Sequence, residues 1–230
     1  MKDFFQRNKT FIVIGLVTLI IFIGGVFLFS KGSNSTVSNT KVNSSLLIPQ
    51  NAIATSGFAN GIYLPATTSA TVTLVEFGDY ECPACGVYSP LVKQLLTEFA
   101  GKVTYVFRNY PLAQHKNAPI TSYAVEAASL QVKYWEMHEK VYATQSEWSN
   151  LSDPKDLLIG YAKDFGMDTT KFTSDLTSTS VKDKVKSDTN DGNTIGITQT
   201  PTFYLNGQKI TLEGSYDQLR SLVQNALLNK

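Results

Sequence analysis

Residues 71–77, "TVTLVEF", run β-branched and apolar with little polar interruption and predict a strand covered on both faces. A helix follows at roughly 82–99, where Val87, Leu91, Leu95 and Phe99 recur every four positions as its inner stripe. Residues 102–108, "KVTYVFR", alternate as a second strand. From about 117 to 190 the pattern is helical, and Asp153 with Pro154 predicts an N-cap followed by a first helical residue. "TPTFYLNGQKITLEG" reads as strand, Asn206-Gly207 turn and strand, since Asn-Gly suits the turns that match the twist of paired strands. "SYDQLRSLVQNALL" closes the chain as an amphipathic helix. The order β-α-β, helical block, β-β-α predicts an α/β fold, a mixed sheet flanked by helices.

The first third of the chain is patterned differently. Residues 11–29, "FIVIGLVTLIIFIGGVFLF", carry no charge, and a helix of that length reaches about 28 Å, close to the hydrocarbon thickness of a bilayer. Lys2, Arg7 and Lys9 precede it and favour a cytoplasmic N-terminus, which places the remainder outside the membrane. The run exceeds the usual apolar core of a cleaved signal, so a retained anchor is favoured, although Ser33-Asn34-Ser35 offers small residues to a peptidase. Residues 31–45, "KGSNSTVSNTKVNSS", have almost nothing to bury and read as a flexible tether, with an extra strand near "GIYLP". The expected division is residues 1–10 cytoplasmic, 11–30 transmembrane, 31–62 linker and extension, and 63–230 folded domain with its helical insertion at about 117–190.

Composition narrows the function. A chain of 230 residues, 43% hydrophobic and 17% charged with a formal net charge of +1, suits one ordinary domain with extensions. It lacks the basic surplus of a nucleic-acid binder. The two cysteines, Cys82 and Cys85, stand three residues apart in "EFGDYECPACGVYSP", with no others in the chain. At the first turn of a helix, the Cys82 sulfur faces free backbone N–H groups and the positive end of the helix dipole, both of which favour thiolate. Cys85 lies on the same face one turn deeper, so the spacing supplies an attacking and a resolving thiol. Three other readings compete. A zinc site needs about four ligands, and His115 and His138 match no finger-like spacing. A structural disulfide across one helical turn closes almost no loop. Two incidental buried cysteines sit oddly beside the turn-like "GDYECP".

In "VEFGDYECPAC", Pro90, the helical block with "EAASLQVKYWEMHEKVYATQSEW", and "TQTPTFYLNG", taken in order across roughly residues 71–228, the chain resembles the thioredoxin superfamily and within it the DsbA-like thiol-disulfide oxidoreductases of bacterial envelopes. The resemblance implies a thioredoxin-like fold with a helical insertion, here preceded by a transmembrane helix. It makes Cys82 the nucleophile and Cys85 the resolving thiol. It places Pro201 at the family's cis-proline and Thr200 where relatives touch the active-site sulfurs, and it makes Glu76 a buried acid that takes the proton from the resolving thiol, Cys85. His138 and Trp135 are expected to pack between helices, His115 to be a solvated loop residue, and Asp79 and Glu81 to face solvent.

The implied activity is formation of disulfides in unfolded or reduced exported proteins, with a quinone-linked membrane protein as reoxidant. The expected enzyme is a monomer held to the membrane, with no metal or cofactor beyond its own disulfide. Its Pro-Ala dipeptide replaces the histidine-containing one of the strongest oxidants, which implies a less oxidising site. An anchored reductase or isomerase, or a non-catalytic peptide-binding module, are the alternatives.

Overall fold

The computed structural model describes residues 37–47, 57–59, 62–64 and 70–229. Its strands are β1 (Val37–Lys41), β2 (Gly57–Ala59), β3 (Ile62–Leu64), β4 (Val72–Gly78), β5 (Val103–Asn109), β6 (Thr202–Leu205) and β7 (Gln208–Ile210). Its helices are α1 (Ser44–Leu47), α2 (Pro83–Glu98), α3 (Ala118–Ser129), α4 (Tyr134–Ala143), α5 (Gln145–Trp148), α6 (Lys155–Asp164), α7 (Thr169–Asp175), α8 (Thr179–Thr194) and α9 (Tyr216–Leu228). The strands form one mixed sheet in the order β1-β7-β6-β4-β5-β3-β2. β4 and β5, joined by the α2 crossover, pair in parallel, and β6 runs antiparallel on the other side of β4. Helices α3 to α8 fill the interval between β5 and β6, as the helical block predicts.

Strand alternation sorts the side chains into two cores. Leu74, Tyr105, Phe107, Phe203 and Leu205 pack with α2, α9 and the insertion, while Val75, Phe77, Val106 and Tyr204 pack with Leu47 and Ile197. Both faces of β4 are therefore covered, which is why its sequence is nearly all apolar; Glu76 is the one charged residue in it. The turn between β6 and β7 places Asn206 (φ 49°) and Gly207 (φ 83°) in the left-handed region. Asn206 also bonds Thr73 through its backbone N–H (2.8 Å) and its Oδ1 (2.9 Å), stitching this hairpin to the start of β4.

Four expectations are corrected. The inner face of α2 is Cys85, Tyr88, Val92 and Leu95, whereas Val87 is 58% exposed. A strict four-residue repeat drifts about 40° per step around a helix of 3.6 residues per turn, so Val87 leaves the buried face that Leu95 keeps. At α6 the cap is Pro154 itself, and the Asp153 carboxylate accepts from the Lys155 N–H (2.9 Å).

The described part of the expected tether is ordered. β1 is the edge strand beside β7, and the Arg108 guanidinium donates to the carbonyls of Leu46 (2.9 Å) and Leu47 (3.0 Å). Backbone bonds and a buried cation hold a segment that has little apolar surface of its own. The strand expected near "GIYLP" is β3, and it pairs with β5. The segment at 11–30 expected to span a membrane lies outside the described residues. Among those described, no helix is long and apolar enough to cross a membrane. The fourth correction, at Asp79, Glu81 and His115, concerns the site.

Candidate active site

α2 starts where the chain leaves β4 and turns through residues 79–82. Cys82 is its N-cap (φ −70°, ψ 120°), with Pro83 in the first turn where no N–H is needed. The Cys82 N–H donates to the Asp79 carbonyl (3.1 Å), and the Cys82 carbonyl accepts the first helical bond from Gly86 (3.2 Å). This cap leaves Cys82 6% exposed and Cys85 fully buried, both as free thiols. A partner can reach only the first sulfur.

The two thiols are polarised in opposite directions. A hydrogen bond from the Cys85 thiol is the largest influence on Cys82 and lowers it from 9.0 to about 5, against the opposing effect of burial. Thr200 and the backbone N–H groups of Cys85 and Ala84 add to the lowering. Burial pushes the Cys85 thiol well above its ordinary value, and the same bond to Cys82 together with the charge of Glu76 pushes it further. The Asp79 N–H donates to the Cys85 sulfur at 3.5 Å.

Glu76 projects from β4 into the same core, 1% exposed. Its register partners are Phe107 on β5 and Phe203 on β6, so apolar rings flank it. Burial raises it from 4.5 to about 8; the Tyr105 hydroxyl, donating at 2.6 Å, opposes that rise, and the Cys82 charge adds to it. On the other side of the sulfur lies the β6 approach. The Thr200–Pro201 peptide is cis, and the Cys82 Sγ lies 3.3 Å from the Thr200 carbonyl oxygen. The Thr200 hydroxyl is buried and has no protein partner at hydrogen-bonding geometry. All five residues singled out from the sequence thus converge: Cys82, Cys85, Glu76, Thr200 and Pro201. Among the described residues no cluster of side chains is built to hold a metal ion.

Asp79, Glu81 and His115 depart from expectation. Asp79 is fully buried, its carboxylate accepting from the backbone N–H groups of Glu81 (2.8 Å) and Leu112 (2.8 Å) and pairing with His115 Nδ1 (2.7 Å). Glu81 accepts from the Asn117 N–H at 2.5 Å. Both carboxylates are therefore bonded by the 112–117 loop, Asp79 fully buried and Glu81 partly exposed, and His115 is a partner of that turn. The position of a carboxylate just ahead of a helix signals a turn-forming role; the loop that completes it lies some thirty residues on and carries no matching signal.

His138 and Trp135 pack as expected. His138 sits among Tyr80, Phe107, Trp135 and Tyr142, contacts the Tyr80 hydroxyl through Nδ1 (2.9 Å), and is held neutral by burial, down to about 3. Tyr105 was not singled out from the sequence. Alternation in "KVTYVFR" puts it on the face of Glu76's core, but nothing local marks its hydroxyl as the partner of that acid.

Comparisons with known proteins follow this geometry. The thioredoxin family model matches residues 67–225. The chain is 38% identical over 149 residues to Na(+)/H(+) antiporter NhaA 1 of Salinispora arenicola, covering 64% of this chain and 22% of that protein. It thus spans about a fifth of the length of the curated relatives it matches. Among solved structures, oxidised BdbD from Bacillus subtilis is 26% identical with a TM-score of 0.65, covering 76% of this chain and 99% of that one. The thiol-disulfide exchange protein alpha-DsbA2 from Wolbachia pipientis is 17% identical with a TM-score of 0.64, covering 79% and 90%. The matched stretch contains both cysteines, the buried acid and the cis-proline: the chain belongs to the thioredoxin family and has the fold of its DsbA members.

Proposed function

We propose that this protein is an extracytoplasmic, membrane-held thiol-disulfide oxidoreductase that introduces disulfides into reduced exported proteins. The observation that carries the reading is the opposite polarisation of two thiols one helical turn apart, Cys82 down to about 5 and Cys85 upward. In the oxidised enzyme a substrate thiolate attacks Cys82 Sγ, the more exposed sulfur, and the Cys82–Cys85 bond breaks. Cys85 leaves as a thiolate in a buried place that disfavours its charge, and Glu76, neutral at pH 7, lies in the same core to supply the proton. A second substrate thiolate then attacks the substrate sulfur of the mixed disulfide. Cys82 departs readily because its thiolate is stabilised. The substrate leaves with its disulfide, and two electrons remain on Cys82 and Cys85. A quinone-linked membrane partner removes them.

The acidity of Cys82 supports the oxidising direction. A value near 5 falls between those of thioredoxin (about 7, about −270 mV) and DsbA (about 3.5, about −120 mV). A lowered Cys82 stabilises the reduced form and so favours the oxidant role, and a Pro-Ala dipeptide that brings no histidine sets the site below the strongest oxidants. The location rests on the uncharged run at 11–29 and the basic residues before it. Equilibration of the purified protein with glutathione buffers tests the direction: a potential near −270 mV makes it a reductase, and one below about −300 mV makes the bridge inert. Cys85→Ser should trap covalent adducts with exported proteins and Cys82→Ser should not; equal trapping by both reverses the roles.

A further inference from the structure

Gln145, the first residue of α5, reaches the catalytic turn from the helical insertion. Its Nε2 donates to the carbonyl of Tyr80 (2.6 Å) and to that of Cys82 (3.0 Å). The second of these belongs to the peptide bond between Cys82 and Pro83, where the chain passes from extended to helical backbone. A separate feature points to the same contact. A Cβ added at Gly86 would stand 2.9 Å from Gln145 Oε1 and 3.4 Å from its Cδ and Nε2. Gly86 is not in a left-handed conformation, so backbone freedom does not explain it; room for the Gln145 amide does.

The need for such a fastening is physical. At most helix starts the side chain of the cap residue bonds the first free N–H groups and fixes the turn. Here that side chain is the reacting sulfur, which forms and breaks covalent bonds and makes no conventional cap bond. We propose that Gln145 is a positioning residue of the exchange site: its amide holds the carbonyls of Tyr80 and Cys82 so that the turn keeps the sulfur at the start of α2, and residue 86 is glycine to admit it. The inference rests on Cys82 being the exchanging thiol. It makes the insertion part of the redox site, because the orientation of α5 sets the geometry of the cap.

The test uses the reduced full-length chain, with Cys82 titrated by thiolate absorbance near 240 nm and the dithiol equilibrated with glutathione. Gln145→Met keeps the shape and removes both donors. It should weaken the Cys82 acid about tenfold and move the glutathione equilibrium about tenfold toward the disulfide, the size of one well-placed hydrogen bond. Gly86→Ala, which displaces an intact amide, should shift both readouts in the same direction. The double variant should be no worse than the stronger single one, since both remove one contact.

A Gln145→Met protein that melts at lower temperature but titrates like the parent, or shifts that simply add in the double variant, overturns the proposal. If Gln145→Met does not fold, an unchanged titration in Gly86→Ala overturns it equally. A parent Cys82 that titrates near 8.5 is a different result, because it removes the exchange reading itself.

Discussion

Two of the buried clusters of ionisable side chains among the described residues handle charge in opposite ways. Around β4 and α2, Glu76, Cys82 and Cys85 meet without a hydrogen-bonded cation among the described residues, and uncharged groups answer them: Tyr105, Thr200, the Cys85 thiol and the backbone. On the other face of the sheet, at the C-terminal end of β5, Arg108 is 1% exposed and all three of its side-chain nitrogens are bonded. It bonds Asp188 (2.6 Å), Asp191 (2.5 Å) and the carbonyls of Leu46 and Leu47. Lys184 adds a second cation on Asp188 (2.5 Å), and Asn109 joins Asp188 (3.1 Å) to Glu126 (2.7 Å).

The results differ accordingly. Burial raises Asp188, but Lys184 and Arg108 more than reverse that and hold it below the usual carboxylate range, whereas Glu126 is pushed up by burial. Glu76, with no such partner, rises to about 8. Paired charge in the interior fixes parts together, here α8, β5 and the residues just after β1. Unpaired charge is held at a proton affinity suited to exchange at neutral pH.

The sharpest way to break this contrast is to unpair the paired cluster. Arg108→Leu leaves Asp188 and Asp191 facing a buried apolar group and releases two carbonyls. It should cost about 3–5 kcal/mol of stability, read as a lower urea midpoint. The Cys82 titration should not move, because the two clusters share no hydrogen bond. A variant that keeps its stability while the thiol shifts would mean that the Arg108 cluster serves the active site instead.

The two clusters were also unequally legible in the sequence. The thiols and their spacing are local signals, while Glu76, Thr200 and Pro201 came from the family resemblance; the structure gathers all of them, with Glu76 the single charge in "VTLVEFG". Arg108 reads as an ordinary strand-end residue in "KVTYVFR", and its partners lie eighty residues away in "KSDTNDG", a stretch that looks solvated by composition. Asp79 misled for the same reason. Two acids beside a reactive thiol suggested exposure, whereas the 112–117 loop folds back to bond them. Gln145 carries no local mark at all. Pairings over long sequence separation decide which polar residue is buried, and periodicity does not report them.

A smaller effect is expected from removing the unpaired acid. The sign follows from proton binding. Between pH 4.5 and about 8 the folded chain keeps a proton on Glu76 that the unfolded chain has released, so stability falls as pH rises through that window. Glu76→Gln removes this dependence. It should stabilise the protein relative to the parent by about 2–3 kcal/mol near pH 7, with the gain vanishing below pH 5. Mixed disulfides should resolve more slowly in the same variant, since Cys85 loses its nearby proton carrier. Stability and turnover thus move in opposite directions at Glu76, whereas at Arg108 only stability should change. A Glu76→Gln protein destabilised equally at pH 5 and pH 8 would mean the acid is a structural anchor like Asp188.

The smallest effect separates the redox states. Cys82 has a folded value of about 5 against an ordinary 9.0, so between those limits the reduced unfolded chain binds a proton that the reduced folded chain does not. Stability of the reduced form therefore gains from this group as pH rises; the oxidised form has no thiol there and gains nothing. At pH 7 the reduced form should be the more stable by about 1–2 kcal/mol, a figure reduced for the solvent contact of the sulfur.

Glu76 acts with the opposite sign over nearly the same range, so the reduced protein should show an almost level profile from pH 5 to 8 while the oxidised protein declines. Urea unfolding of both forms at four pH values reads the gap directly. A gap that widens with pH ties the strain of the unpaired cluster to the thiolate of Cys82. A constant gap would mean that the sulfur is not ionised in the folded chain, and the contrast with the Arg108 cluster would reduce to a difference in burial.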